Sequence, residues 1–202
     1  MKSHIGYFGY GSLVNRQTLA TDYIDCRPAR LKGWRRHWQA RPDGPEQRPG
    51  LDVALLTVHR HDESSILGML VIDRAENLAH VDEREARYDR VEIDHASLSF
   101  SGEEDEADLP DRLFVYVGRP RLQPEPVATL VQSYLHTVMA GFLAEHGEEG
   151  LLHFIETTIG FDRPILVDRH QPLYTRHIPP EQEMADRFDT LLKEAGVRFT
   201  PS

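Results

Sequence analysis

The chain has 202 residues, with 23 lysines and arginines against 33 aspartates and glutamates, which gives a formal net charge of −10. This acidic balance lacks the broad basic surface that nucleic acids require, and no stretch approaches the roughly 20 apolar residues that span a bilayer. Cys26 is the only cysteine, which excludes an internal disulfide and a cysteine-rich zinc site, so we expect a cytoplasmic protein without nucleic-acid or membrane partners.

The first 120 residues consist mostly of predicted strands. Short apolar segments bounded by turn residues predict six of them, at 5–10, 30–40, 52–59, 66–72, 91–100 and 113–117. The polar residues 61–64 predict a turn that joins the third and fourth strands as a hairpin. A basic cluster in the second strand is expected to form a charged, exposed face (Arg30, Lys32, Arg35 and Arg36). The acidic stretch 102–108 predicts a solvated loop tip.

One short helix interrupts these strands, and further helices follow them. Asp73 and Glu76 have the spacing of a capping box, which predicts a helix that runs towards Glu85. From about residue 124, apolar residues recur with the helical period up to Gly147; they are Val127, Leu130, Val131, Tyr134, Leu135, Val138 and Phe142. Two shorter helices are predicted at 151–155 and from 180 to just before Gly196. Strands followed by helices indicate an α+β fold with a closed or strongly curled sheet.

The segment 7–13, Tyr-Phe-Gly-Tyr-Gly-Ser-Leu, combines a strand end with two glycines. Such a segment turns sharply and brings its backbone close to a ligand. If a helix begins just beyond it, converging amides form a concavity for a carboxylate or an oxyanion. Gly9 and Gly11 lack the third glycine of a dinucleotide fingerprint, and the residues around Ser12 do not form a serine nucleophile elbow. The alternative is a tight turn without a ligand.

The segment 82–90 places carboxylates on a predicted helix. Asp82 and Glu85 share a face with apolar residues, whereas Glu83 points away. Glu85 is nearest to the junction between this helix and the next strand, where a side chain lines a cavity mouth. Partial burial there raises the pKa of a carboxyl towards neutrality, which suits a general acid/base.

Together the two segments resemble the γ-glutamylcyclotransferase-like family. Residues 7–13 are similar to its glycine loop, and Asp82, Glu85 and Tyr88 are similar to its Asp-x-x-Glu-x-x-Tyr catalytic segment. With the preceding strand, the resemblance covers about residues 5–118. It implies a small mixed β-barrel of about six strands flanked by helices, formed by residues 1–120. A helical C-terminal extension, 121–202, is expected to pack on the same core.

The resemblance also implies an enzyme that needs no cofactor and no metal and acts on a small-molecule γ-glutamyl substrate. In such an enzyme the substrate's α-amine attacks its own γ-carbonyl, which releases 5-oxoproline and expels an amine. By similarity, Glu85 is the general acid/base. The implied substrate-binding residues are Tyr7, Phe8, Gly9, Tyr10, Gly11, Ser12, Tyr88 and Tyr134.

Other interpretations stay open from the sequence. Glu85 forms a surface ion pair with Arg87 or Arg90 in one of them, and Tyr134 only packs in the core. The barrel is a non-catalytic module that binds a small ligand in another. In a third it is a metal-dependent hydrolase in which His59 and His61 are ligands, although the spacing reveals no third ligand.

Two properties are left undetermined. The leaving group, which is the remainder of glutathione, of a γ-glutamyl amino acid or of a γ-glutamylamine, is expected to contact the loop 42–50 and the region after residue 161. The segment 163–169 matches no family function. The oligomeric state, monomer or homodimer, is equally open.

Overall fold

The computed structural model of the protein describes residues 4–42, 52–101, 108–120 and 128–201. In chain order the elements are β1 (His4–Gly9), β2 (Asp25–Ala40), β3 (Ala54–Arg74), α1 (Leu78–Arg84), β4 (Tyr88–Ile93), β5 (Leu98–Ser99), β6 (Leu113–Gly118), β7 (Leu130–Val131), α2 (Gln132–Thr157), β8 (Thr158–Ile159), β9 (Ile165–Val167), α3 (Gln182–Glu194) and β10 (Phe199–Pro201). The predicted loop 42–50 and the acidic loop tip lie almost entirely outside the described residues.

A mixed sheet forms the centre of the fold. Its strands are hydrogen-bonded in the order β4-β6-β1-β3-β2-β5, and β8 pairs with β2. β1 is parallel to β6 and antiparallel to β3. The sheet curls into a half-barrel, which confirms the predicted α+β class and the six-stranded core of the sheet. The predicted strand 91–100 is divided into β4 and β5 by a 3-10 turn, His95–Ser97.

The predicted hairpin between 52–59 and 66–72 is wrong, because both segments belong to β3 and both pair with β2. Residues 65–72 pair with the first half of β2, and residues 54–60 pair with its second half. The register shifts at Gly33, whose φ of +78° favours glycine. The polar residues 61–64 therefore form the long side of a bulge instead of a turn.

The same bulge changes which side chains of β2 face the core. A strand alternates its faces, so an extra residue reverses the pattern beyond it. Arg36 is fully buried as a result, contrary to the predicted charged face. Its guanidinium donates to the Leu67 carbonyl at 3.0 Å and lies 4.9 and 5.1 Å from the ring centres of Phe142 and Phe154.

The start of α1 differs from the predicted capping box. The Asp73 carboxylate accepts hydrogen bonds from the Arg74 amide, the Asn77 side chain and the Thr21 hydroxyl at 2.6–2.7 Å. Because these three donors bind the Asp73 carboxylate, it does not cap the first amides of the helix as the capping box predicts. A 3-10 turn, Ala75–Asn77, precedes α1 instead.

The C-terminal region combines helices with a second, small parallel sheet in the order β10-β9-β7. Leu130 and Val131, which were predicted to be helical, form β7, so α2 begins only at Gln132. α2 kinks at Gly147, where φ is +64°, and the predicted helix at 151–155 is its second half. α3 lies within the predicted range, 180–196. None of the helices in the described ranges has the length and apolar character needed to cross a bilayer.

One hydrophobic cluster joins the sheet to the C-terminal region. Val138, Met139 and Phe142 on α2 are fully buried, as are Leu70 and Leu113 on the central strands. The apolar stripe of α2 therefore covers the curled sheet, and it brings Tyr134 close to the end of β1.

Candidate active site

A cavity of about 370 Å³ opens at the end of β1. Its walls are the glycine segment after β1, the first residues of β3, the junction between α1 and β4, the first turn of α2, and residues 173–176 after β9. The two segments that carry the resemblance therefore face one hollow, although they are far apart in the chain.

Eight of the nine predicted site residues line this cavity: Phe8, Gly9, Tyr10, Gly11, Ser12, Glu85, Tyr88 and Tyr134. The structure places Tyr7 elsewhere. Successive side chains of a strand point to opposite faces, and the Tyr7 hydroxyl hydrogen-bonds to Thr21 within the core. Tyr7 thus belongs to the packing of β1.

The two glycines of this segment lie where a side chain would not fit, because the backbone there packs directly against Leu13 and Tyr134. A Cβ on Gly11 would lie 2.6 Å from the Tyr134 hydroxyl, and one on Gly9 would lie 2.5 Å from the Leu13 Cβ. A 3-10 helix, Ser12–Val14, follows immediately. The first amides of such a helix have no intrahelical partner, and the Ser12 amide meets the Tyr134 hydroxyl.

Glu85 lies at the C-terminal end of α1, where its amide donates to the Val81 carbonyl at 2.9 Å. Its Oε1 is 3.0 Å from Nε of Arg84, and the two side chains are only 15% and 8% exposed. The pair is therefore nearly buried, unlike the surface pair with Arg87 or Arg90 considered above. Burial raises the pKa of Glu85, while Arg84 and Arg176 lower it to a smaller extent.

Three tyrosine hydroxyls of the cavity wall are fixed by backbone groups. Tyr10 donates to the Tyr116 carbonyl at 2.5 Å, and Tyr88 donates to the Leu56 carbonyl at 3.0 Å. The Tyr134 hydroxyl hydrogen-bonds to the Ser12 backbone. Burial raises the pKa of all three phenols. They are neutral at physiological pH, and each lies close enough to Glu85 for its charge to raise the pKa of the phenol further.

The cavity is locally basic in an acidic chain. Among the residues described, four arginines line it, Arg41, Arg84, Arg87 and Arg176, together with one acidic residue, Glu85. Positive charge in a concave site of low dielectric raises the local concentration of anions. The site is suited to a small molecule that carries a carboxylate.

Residues 173–176 and Arg84 were not identified from the sequence. Leu-Tyr-Thr-Arg at 173–176 forms no motif and reaches the cavity only through tertiary contacts. It lies in the region after residue 161, for which a contact with the leaving group stays a prediction. Arg84 lies within the segment 82–90. Its pairing with Glu85 could not be predicted there, because the pairing depends on where α1 ends.

The histidines considered as metal ligands lie outside the cavity. Nδ1 of His59 is 2.9 Å from Nδ1 of His37, and Nδ1 of His61 is 2.9 Å from the Ser64 hydroxyl. Within the part of the chain that the structure describes, no group of three or more histidine, cysteine, aspartate or glutamate side chains is arranged to hold a metal ion.

Two solved structures share this fold over nearly the whole chain. One, named gamma-glutamyl cyclotransferase, is 14% identical with a TM-score of 0.56 and covers 93% of this chain and 99% of its own. The other, an uncharacterized protein from Homo sapiens, is 13% identical with a TM-score of 0.55 and the same coverage. None of the curated proteins compared with the chain matches it significantly.

The family model of ChaC-like proteins matches residues 5–133, which is more than half of the chain. The matched range contains both segments that face the cavity, as well as Tyr134's neighbour Ser133. This match confirms the resemblance that the two segments indicated. The chain therefore belongs to the ChaC-like protein family.

Proposed function

We propose that this protein is a γ-glutamyl cyclotransferase that releases 5-oxoproline from a γ-glutamyl compound, with Glu85 as the general acid/base. Membership of the ChaC-like family supports a cyclotransferase-type activity. One observation carries the finer assignment: a nearly buried carboxylate of raised pKa shares a cavity with an amide-rich glycine turn.

In this proposal the cavity binds the substrate in a folded conformation. The amides around Gly11 and Ser12 hold either the α-carboxylate or the oxyanion that forms at the γ-carbonyl. The arginines of the cavity add favourable charge for the carboxylate. Amine and carbonyl already belong to one molecule, so the protein has mainly to hold them in the reactive geometry.

The reaction then proceeds by proton transfer through Glu85. Glu85 takes a proton from the α-ammonium group, and the freed amine attacks the γ-carbonyl carbon. The new C–N bond closes the five-membered ring, and the original amide C–N bond breaks. Glu85 returns its proton to the departing nitrogen, and the ring nitrogen gives up its second proton, which the expelled amine takes up as it leaves as an ammonium. A raised pKa suits both transfers near neutral pH, and no atom is oxidised or reduced.

Incubation of the purified protein with γ-glutamyl compounds tests this proposal. The panel includes glutathione, a γ-glutamyl amino acid and a γ-glutamylamine, and mass spectrometry measures 5-oxoproline. We expect 5-oxoproline from at least one of them, and the same rate after treatment with a strong chelator. Binding without product would favour the non-catalytic module, and loss of activity with the chelator would favour the metal-dependent alternative.

A further inference from the structure

Residues 173–176 form one wall of the cavity, although they lie beyond the range that matches the family model. Tyr174 meets Tyr134 edge to face, with ring centres 5.0 Å apart. Arg176 is close enough to Glu85 to lower the pKa of that carboxyl. This wall therefore meets Tyr134, which borders the glycine turn, by a ring contact, and it acts on the proposed general acid/base through the charge of Arg176.

A buried carboxylate holds this wall in place. Asp168 is only 4% exposed, and its Oδ2 accepts from the Leu173 amide at 2.7 Å. The same side chain accepts from the Ser133 amide at 2.8 Å and from the Ser133 hydroxyl at 2.6 Å. The Ser133 hydroxyl in turn accepts from the Tyr174 amide at 3.2 Å. Asp168 thus ties the segment after β9 to the first turn of α2.

The hydroxyl of Tyr174, which belongs to this wall, is a hydrogen-bond donor without an acceptor in the described part of the chain. Among the residues that the structure describes, the buried Tyr174 hydroxyl has no hydrogen-bond partner. Tyr10, Tyr88 and Tyr134 in the same cavity each have one. A buried hydroxyl without a partner costs free energy, and native proteins rarely leave one except where a ligand or water completes it.

We propose that Tyr174 is a substrate-binding residue, which Asp168 positions and whose hydroxyl donates to a carbonyl or carboxylate oxygen of the bound γ-glutamyl compound. This inference rests on the proposed function. It adds to the site a residue from the C-terminal region, and it gives the segment 163–169 a role, since Asp168 is part of it.

Tyr174→Phe tests the proposal in the full chain. The hydroxyl is buried and has no partner in the described part of the free protein, so its removal is expected to leave the melting temperature unchanged or to raise it. The kcat/KM for 5-oxoproline release is expected to fall about 3- to 10-fold, as for the loss of one neutral hydrogen bond. Tyr23→Phe, a tyrosine outside the cavity, is the matched control and is expected to match the wild type.

Binding provides a second readout that does not depend on turnover. In a Glu85→Gln background, Tyr174→Phe is expected to raise the Kd of γ-glutamylglycine by the same factor, measured by calorimetry. Equal Kd and kcat/KM values with and without the hydroxyl would overturn the role of Tyr174 and leave the proposed function intact. Wild-type protein that binds γ-glutamylglycine but releases no 5-oxoproline would contradict the function, while the Kd comparison would still decide the role of Tyr174. If neither γ-glutamylglycine nor glutathione nor a γ-glutamylamine bound to any variant, both would be overturned.

Discussion

Glu85 is a nearly buried carboxylate whose single close ionic partner, among the residues described, is a nearly buried arginine. Arg84 stabilises the charged form, and burial destabilises it by more, so the pKa of Glu85 is raised. The partner also orients the carboxylate within the cavity. The protonation of Glu85 is therefore governed by burial more than by the ion pair.

The pH dependence of stability tests that balance. The pKa of Glu85 is higher in the folded than in the unfolded protein, so folding is favoured while the group is protonated. This contribution is fully present below the ordinary pKa and is lost as the pH rises through the raised one. Glu85→Gln cannot ionise, so its melting temperature should gain on the wild type as the pH rises above about 4, the ordinary pKa of a glutamate.

The control for this measurement is Glu83→Gln, because Glu83 is exposed on the other face of α1. Its difference from the wild type serves as the baseline for the pH dependence of Glu85→Gln. A wild-type protein that gains stability relative to Glu85→Gln as the pH rises would show that the ion pair dominates.

Gly11 provides a second prediction at the residue scale. A Cβ at this position would lie 2.6 Å from the Tyr134 hydroxyl, so Gly11→Ala should destabilise the protein by about 1–3 kcal/mol through overpacking. Removal of that hydroxyl relieves the contact. Gly11→Ala combined with Tyr134→Phe should therefore be more stable than the sum of the single effects, by about 1 kcal/mol. Additive effects in chemical denaturation would contradict this packing.

Local chemistry made these residues predictable. Paired glycines at a strand end and a carboxylate at a helix end impose geometry through their own backbone and spacing. Tyr7 does not line the cavity, because the register of β1 decides which of two neighbouring side chains faces it. Tyr174 had no local signal, since its position depends on Asp168 and Ser133.

At the scale of elements, single side chains decide where strands and helices change. A bulge at Gly33 makes β3 continuous where the polar residues 61–64 predicted a turn. Asp73 binds three donors other than the one that a capping box assigns to it. Periodicity predicted the existence and type of most elements, whereas these departures depend on contacts between distant residues.

At the scale of elements, we predict that Asp168 attaches the segment after β9 to α2. Asp168→Ala removes the acceptor of three hydrogen bonds and leaves buried donors unsatisfied. We expect a loss of about 2–4 kcal/mol in the free energy of unfolding, together with faster amide exchange of Leu173 and Tyr174. KM should rise more than kcat falls, because substrate binding uses this wall.

Asp162→Asn is the control for this variant, because Asp162 is exposed and lies in the same connecting region. It is expected to change neither stability nor KM. If the amides of Leu173 and Tyr174 exchanged at the wild-type rate in Asp168→Ala, Asp168 would have no part in positioning residues 173–176.

At the scale of the whole molecule, the C-terminal region is continuous with the sheet. The fully buried residues Val138 and Phe142 of α2 belong to the same cluster as Leu70 and Leu113 of the central strands. The cavity is likewise built from both regions. The sequence predicted the order of strands and helices, but it did not predict the small sheet β10-β9-β7, whose strands are only two or three residues long.

Cooperative unfolding follows from this shared core. We expect one thermal transition, with the same midpoint by far-UV and near-UV circular dichroism and with equal calorimetric and van't Hoff enthalpies. A chain that ends at residue 120 should not fold alone, because it lacks the helix that covers the sheet. Two separate transitions would show that residues 1–120 and 121–202 are independent units.

The central claim is that Glu85 transfers the protons of the cyclisation. The most direct measurement compares 5-oxoproline release by Glu85→Gln, Glu83→Gln and the wild type with the best γ-glutamyl substrate of the panel. The account predicts that kcat/KM falls about 10²- to 10⁴-fold for Glu85→Gln, with retained substrate binding, and stays unchanged for Glu83→Gln. Wild-type turnover by Glu85→Gln would contradict it.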